Sequence, residues 1–358
     1  MLLQNAGGGF LLHGRGRENV IMPREALFYE RLENRGVRCR LCGHHCHIKP
    51  DARGVCGVRE NRDGTLYSLV YGKLIAENVD PIEKKPLFHV LPGSRSYSIA
   101  TPGCNFRCAF CQNHEISQAP ARRKLIIGRD TTPEEVVERA LTTGSQSIAY
   151  TYTEPTVYFE FAYDCCRLAH EKNIRNVFVS NGYMSEEVVD FAAPFLDAIN
   201  VDLKAFSEEF YKKQCGASLQ PVLAALKRLK EKGIWVEITT LVIPTLNDDP
   251  SELRQLAGFI RSLGPETPWH ISRFHPCYEL QDIDPTPVST IHRAVEIGKE
   301  EGLYYVYSGN VPGDAGEKTF CHHCGQLLID RFGYLVRDTF IRDGACPQCR
   351  TPLAGLLR

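Results

Sequence analysis

The stretch "TPGCNFRCAFCQN" places Cys104, Cys108 and Cys111 within eight residues, and the next cysteine, Cys165, comes more than fifty residues later. Local cysteine sets that hold zinc or an electron-carrying cluster usually bring four ligands. Gly103 permits an unusual backbone angle at the start of this loop, so a short turn can aim three thiols at one point. Three thiolates on a four-iron cluster leave one iron without a protein ligand. An open coordination position is what separates a catalytic metal from a structural one. Two other readings stand beside this: a zinc site completed by a remote ligand such as His114, and three core cysteines. The x3/x2 spacing in a loop after a strand counts against core cysteines. The ferredoxin pattern C-x2-C-x2-C-x3-C-P is not matched.

The chain holds fifteen cysteines in 358 residues, and most fall in three groups. Cys321 and Cys324, then Cys346 and Cys349, form two C-x2-C knuckles 21 residues apart, the pattern of a zinc ribbon. That segment is too short to hold itself together by apolar burial, so metal should decide whether it folds. Cys39, Cys42, Cys46 and Cys56, interleaved with His44, His45 and His47, suggest a second metal site, zinc or an auxiliary cluster. Reduced thiols beside the main site are the other reading. Cys165 and Cys166 lie in a helical pattern and should pack. Cys215 has no assignment, and Cys277 is a candidate to face a substrate.

The net charge of −1 gives no electrostatic hint of a nucleic-acid or membrane partner, and no basic stripe with interleaved aromatics accompanies the ribbon. No secretory signal and no apolar run near ~20 residues is visible. Clustered cysteines without a signal read as metal ligands in a reducing compartment, so a soluble cytoplasmic metalloprotein is expected.

From about residue 97, short apolar runs alternate with amphipathic helical patterns, the period of βα units. Strands are predicted at "SYSIATPG", "SQSIAYTYTEP", "RNVFVSNG", "DAINVDLKA", "IWVEITTLVIP" and "PWHISRFHP", with "LYYVYSGN" closing the series. One intervening helix, "TTPEEVVERALTTG", carries a capping box of Thr132 and Glu135 with Pro133 at its first position. Six or seven repeats in about 210 residues are too few for a complete eightfold barrel. An α/β fold built as a partial (β/α)6 barrel fits best, with a doubly wound sheet as runner-up. Function in either collects at strand ends, which carry Cys104, Glu154, Asn181, Lys204, Thr245 and His275. The expected divisions are a tail over 1–21, a cysteine-rich segment and lead-in hairpin over 22–96, the barrel over 97–312 and the ribbon module over 313–358. Residues 22–36 have helical spacing. Met22 is the expected start of translation, which an intact mass including residues 1–21 would refute.

The cysteine loop resembles the signature of the radical S-adenosylmethionine (SAM) enzymes, C-x3-C-x-Φ-C, with Phe110 at the aromatic position. The resemblance implies a [4Fe-4S] cluster whose open iron binds SAM. It also implies reductive cleavage to methionine and a 5′-deoxyadenosyl radical that takes hydrogen from a substrate. By the same resemblance Glu154 of "TYTEP" stands where that family's strand two holds the SAM amino group, though the family's glycines are replaced. Ser180 and Asn181 of "VSNG" match groups on its carboxylate or ribose. Asp202 and Lys204 of "NVDLKA" resemble the Asp-x-Lys pair of glycyl-radical-enzyme activases, and Phe110 would lie beside the adenine. Thr240 is a weaker candidate for adenine, while His270 and His275 are candidates for the substrate pocket or simple packing. The core resembles the pyruvate formate-lyase-activating branch. Over residues 22 to 356 the chain looks more like the AmmeMemoRadiSam-system type, by "VRCRLCGHHCHI", "YTYTEPTVYFE" and "VYSGNVPG". That likeness implies an external one-electron reductant of flavodoxin or ferredoxin type, and Memo-like and AMMECR-like partners. It leaves the substrate open, with glycyl-radical activation and a non-catalytic iron–sulfur and zinc module as alternatives.

Overall fold

The computed structural model describes residues 21–358, so the expected tail over 1–21 lies, but for Ile21, outside the described residues. Apolar runs bounded by turn residues form the strands of one large sheet: β1 (Ala76–Pro81), β2 (Arg95–Ala100), β3 (Ser147–Tyr150), β4 (Arg175–Ser180), β5 (Ala198–Asp202), β6 (Trp235–Val242), β7 (Trp269–Arg273) and β8 (Val306–Gly309). They lie side by side in chain order. β2 to β8 are all parallel, and only β1 runs antiparallel, against β2. A doubly wound sheet reverses its strand order at a switch point. None occurs here, so the fold is the partial (β/α)6 barrel with a seventh parallel strand, open between β1 and β8.

The connecting helices are α1 (His114–Arg123), α2 (Pro133–Thr142), α3 (Phe159–Glu171), α4 (Glu186–Ala192), α5 (Leu219–Glu231), α6 (Pro250–Leu263) and α7 (Val288–Glu300). The capping box of α2 forms as its sequence predicts. Thr132 Oγ1 accepts from Glu135 N at 3.3 Å, and Glu135 Oε2 accepts from Thr132 N at 2.8 Å. Parallel strands bury both faces. Ile148, Tyr150, Ile199 and Val201 are fully buried on one face, and Ala149, Val177 and Ala198 on the other meet Ile82, Leu87 and Val90 of the β1–β2 connection. That connection fills the barrel at the N-terminal ends of its strands and leaves the C-terminal ends to polar side chains.

Residues 22–36 do not form the expected helix. The chain instead makes short strands at Arg24–Glu25 and Tyr29–Arg31 and a 3-10 turn at Glu33–Arg35. Tyr29 pairs with Cys39 across an antiparallel ladder, and Phe28, Asn34 and Arg35 take left-handed angles that no continuous helix accepts. Tertiary pairing overrides a weak local propensity here.

The C-terminal strands Thr319–Phe320, Leu327–Phe332 and Leu335–Thr339 form a small antiparallel sheet. It docks beneath the barrel. Arg331 donates to the Phe88 carbonyl and Thr319 Oγ1, each at 2.7 Å, and Leu356 exchanges backbone bonds with His89 and Leu91. His270 belongs to this lower interface. It is 4% exposed and bonds Glu237 Oε2 at 2.7 Å, near the start of β7, so it packs and does not line a substrate pocket. Among the described residues no helix is long and apolar enough to cross a membrane.

Candidate metal and cofactor centre

The three-cysteine loop leaves β2 through Thr101, Pro102 and Gly103 and runs into α1. Gly103 has φ +111°, and a Cβ there would stand 2.6 Å from Val58 Cγ1, so only glycine suits the turn. The loop is strapped from the far side. Arg107 N and Ala109 N donate to the carbonyls of Cys215 and Gln214, at 2.8 and 2.9 Å, in the turn after β5. Donors already point at the sulfurs: Phe106 N lies 3.3 Å from Cys104 Sγ, Ser117 Oγ 3.3 Å from Cys111 Sγ, and Asn181 Nδ2 3.7 Å from Cys104 Sγ. Three thiols on one loop, two of them supplied with polar neighbours that favour thiolate, fit a thiolate-held iron–sulfur cluster.

Burial pushes the Cys104 thiol well up, and Glu154 adds to the shift. Cys108 is drawn down by a bond to Cys215, then by the charge of Lys204. Bound iron reverses the cost of burying thiolates, because a coordinating metal deprotonates them outright. Cys215, unassigned by spacing, is thus a direct neighbour of Cys108. Cys277 lies 3.7 Å from the Cys111 carbonyl, against the same loop, and His114 stacks on Tyr278 with ring centroids 4.2 Å apart.

The strand ends bring the other candidates to this loop. Glu154, 1% exposed, follows β3. Its Oε1 accepts from Thr156 N, Thr156 Oγ1 and Ser180 Oγ at 3.0, 2.6 and 2.8 Å, and its Oε2 accepts from Asn181 N at 2.8 Å. Burial raises its carboxyl, and these donors oppose the rise. Ser180, at the end of β4, gives its hydroxyl proton to Glu154 and accepts from Gly182 N. Asn181 gives Nδ2 to Asn105 Oδ1 at 2.7 Å and accepts from Tyr183 N. A chain of contacts therefore runs from Cys104 through Asn105 and Asn181 to Glu154. Lys204, after β5, bonds Asp202 Oδ2 at 2.9 Å and stands 5.7 Å above the Phe110 ring. Burial works against its charge, yet Asp202 and Cys108 hold it well above the usual lysine range. Phe110 is buried against Phe210, with ring centroids 5.9 Å apart. Thr240 is spent inside the core between the Leu203 carbonyl and Trp269 Nε1, at 2.9 Å each, and does not reach this group.

The C-terminal knuckles close on one point. Cys321 Sγ lies 3.5 Å from Cys349 Sγ, Cys324 Sγ lies 3.6 Å from Cys346 Sγ, and all four sulfurs fall within 4.8 Å of one another. Zinc–sulfur bonds of about 2.3 Å in a tetrahedron place sulfurs roughly 3.8 Å apart, so this set fits zinc. Cys39, Cys42, Cys46 and Cys56 instead line a single pocket together with Arg59, His44 and Asn105. Burial pushes Cys42 up and Cys56 up to about 11.

Residues 98–257 match the Radical SAM superfamily. An uncharacterized protein of Methanocaldococcus jannaschii is 51% identical over 310 residues, 86% of this chain and 92% of its own length. The pyruvate formate-lyase-activating enzyme of Clostridium pasteurianum is 25% identical over 181 residues, 48% of this chain and 71% of that enzyme. A crystal structure of a radical SAM methyltransferase from Sphaerobacter thermophilus covers 66% of this chain and 71% of its own, with a TM-score of 0.49 and 20% identity. The matched span contains the cysteine loop and the ends of β3, β4 and β5 that converge on it, and on that correspondence the chain belongs to the radical SAM superfamily.

Proposed function

We propose that Cys104, Cys108 and Cys111 hold the [4Fe-4S] cluster of this radical SAM enzyme, and that SAM lies across the ends of β3, β4 and β5. The group supplies, when bound and reduced, one electron that splits SAM into methionine and a 5′-deoxyadenosyl radical able to take hydrogen from a substrate. The chain's part is to hold and shield. Asn181 ties the cysteine loop to β4, and Glu154 fixes Asn181. Glu154 Oε2, with a single donor on it, has lone-pair capacity for an ammonium group. Lys204 offers a charge for a carboxylate or for the cluster itself. The observation that carries this reading is the continuous contact chain Cys104–Asn105–Asn181–Glu154, which joins three strand ends to one loop.

The test is anaerobic reconstitution, dithionite reduction, addition of SAM and assay for 5′-deoxyadenosine. The native chain should produce it, and the Cys104→Ala/Cys108→Ala/Cys111→Ala variant should not. Product from the triple variant would sink the cluster assignment. An external one-electron reductant of flavodoxin or ferredoxin type completes the reading, and Memo-like and AMMECR-like proteins are its proposed partners.

A second reading is activation of a glycyl-radical enzyme. It draws on the similarity to pyruvate formate-lyase-activating enzymes and to the isethionate sulfite-lyase activating enzyme of Nitratidesulfovibrio vulgaris, which is 26% identical over 167 residues. A glycyl-radical signal on a co-incubated pyruvate formate-lyase-type protein would favour it. No such signal, with SAM still cleaved, would leave the broader hydrogen-abstraction reading.

A further inference from the structure

We infer that the pocket lined by Cys39, Cys42, Cys46 and Cys56 is the site of a second iron–sulfur cluster, a [4Fe-4S] centre with all four irons held by protein. The four cysteines come from one module. Cys39 ends the strand Val37–Cys39, Cys42 bridges to Met184 beyond β4, and Cys46 and Cys56 flank the strand His47–Ile48 and the turn that follows it. All four line the same pocket.

Two independent observations point to an anionic, acceptor-rich occupant. Arg59, 1% exposed, lines the pocket. Its Nη1 lies 3.0 Å from Glu160, its Nη2 donates to the Leu27 carbonyl, and its Nε has no hydrogen-bond partner among the described residues. Asn105, also 1% exposed, lines the same pocket, and its Nδ2 is likewise without a partner. Buried donors are rarely left orphaned, and each costs about 1–3 kcal/mol when it is. A tetrathiolate cluster carries net negative charge and bridging sulfides that accept N–H bonds, which satisfies both groups.

The arrangement favours iron over zinc. Among the described residues only the C-terminal cysteines gather their sulfurs within 4.8 Å of one another, the spacing that a single tetrahedral ion requires. The N-terminal cysteines line one pocket without gathering to that spacing, as ligands on four separate irons do.

The pocket also abuts the loop that holds Cys104. Asn105 is shared by both, His44 Nε2 lies 2.7 Å from the Asn105 carbonyl, and a Cβ on Gly103 would stand 3.6 Å from the Cys56 carbonyl. Gly57, with φ +73°, backs directly onto α1 at Ala121.

The experiment uses the full chain, reconstituted anaerobically, with iron, sulfide and zinc assays and electron paramagnetic resonance after dithionite. The native protein should hold about eight iron and one zinc, and the Cys104→Ala/Cys108→Ala/Cys111→Ala variant about four iron. The variant's reduced-cluster signal should not change when SAM is added, because no iron is open to it. Adding Cys42→Ser to that background should remove the remaining iron and leave the zinc, which also reports that the molecule is still folded. Four iron in the native chain, or a triple variant with two zinc and no iron, would overturn the inference whatever the Cys42→Ser protein does. Loss of 5′-deoxyadenosine alone bears on the first cluster and not on this one.

Discussion

Lys204 places a positive charge beside the proposed cluster. It is held charged by Asp202 and lies in the field of Cys108. Reduction adds an electron to the cluster, so a fixed positive charge nearby favours the reduced state. Lys204→Gln should therefore make the cluster harder to reduce. At an effective dielectric near 20 the effect is on the order of 1–2 kcal/mol, or roughly 40–80 mV. Asp202→Asn should move the potential the opposite way. A redox titration followed by electron paramagnetic resonance reads both shifts, and a Lys204→Gln potential equal to or above the native one would rule this role out. Residue types and local spacing are enough to pick out Cys104, Cys108 and Cys111, because all three sit on one loop. Asn105 carries no such local signal. Its importance comes from a bond to Asn181, 76 residues away in the chain, and from a pocket built by a separate module. His270 misleads for the converse reason, since position near a strand does not tell which end of the strand it occupies.

The C-terminal ribbon is the element whose fold should depend on a metal at its four cysteines. Its three short strands bury few apolar side chains of their own, Leu328 and Ile329. Thr351, through its hydroxyl and its amide, draws Cys349 down to about 6, which readies that thiol for a metal. Structural zinc contributes on the order of 10–16 kcal/mol in such segments. Chelation should open residues 319–356 to protease while the barrel remains protected, with cleavage mapped by mass spectrometry. A ribbon that stays protected without zinc would show that docking through Arg331 and Leu356 is sufficient. The elements of the barrel are legible in the sequence because their signals are local: alternation of apolar runs, the Thr132 capping box, the Ser185 cap of α4. Residues 22–36 are not, because a helical apolar spacing is also met by a short strand once Cys39 supplies a ladder partner. Helix α1 gives little periodic signal and carries Pro120, yet it forms because the cysteine loop and Gly57 fix its start and its flank.

At the scale of the molecule, the barrel and ribbon are joined by buried polar groups whose protonation must stay fixed. His89 is fully buried. Its Nδ1 lies 2.7 Å from the Ala354 carbonyl of the ribbon and its Nε2 2.7 Å from Tyr307 Oη of β8, a pairing that suits a neutral ring donating at one nitrogen and accepting at the other. Burial lowers it to about 4 against an ordinary value near 6.5, with Glu237 opposing and Arg331 reinforcing the shift. The unfolded chain therefore binds this proton first. Its stabilising effect is complete above about pH 6.5 and is lost as pH falls toward 4, up to about 3 kcal/mol. Burial pushes the Glu237 carboxyl up, but the His270 bond and charge, the His89 ring and the His89 amide together hold it below the usual carboxylate range, so its contribution is lost in acid as well. The native chain should lose urea resistance between pH 6.5 and 4, followed through the fluorescence of Trp235, whose ring stacks 6.0 Å from His89. His89→Gln keeps a donor and an acceptor but cannot titrate. It should be less stable at pH 7 and markedly flatter across that window, while any ion on the four ribbon cysteines, which both proteins share, would be lost equally. Equal slopes in the two proteins would assign the acid sensitivity to Glu237 and the ribbon thiols and remove His89 from the coupling of ribbon to barrel.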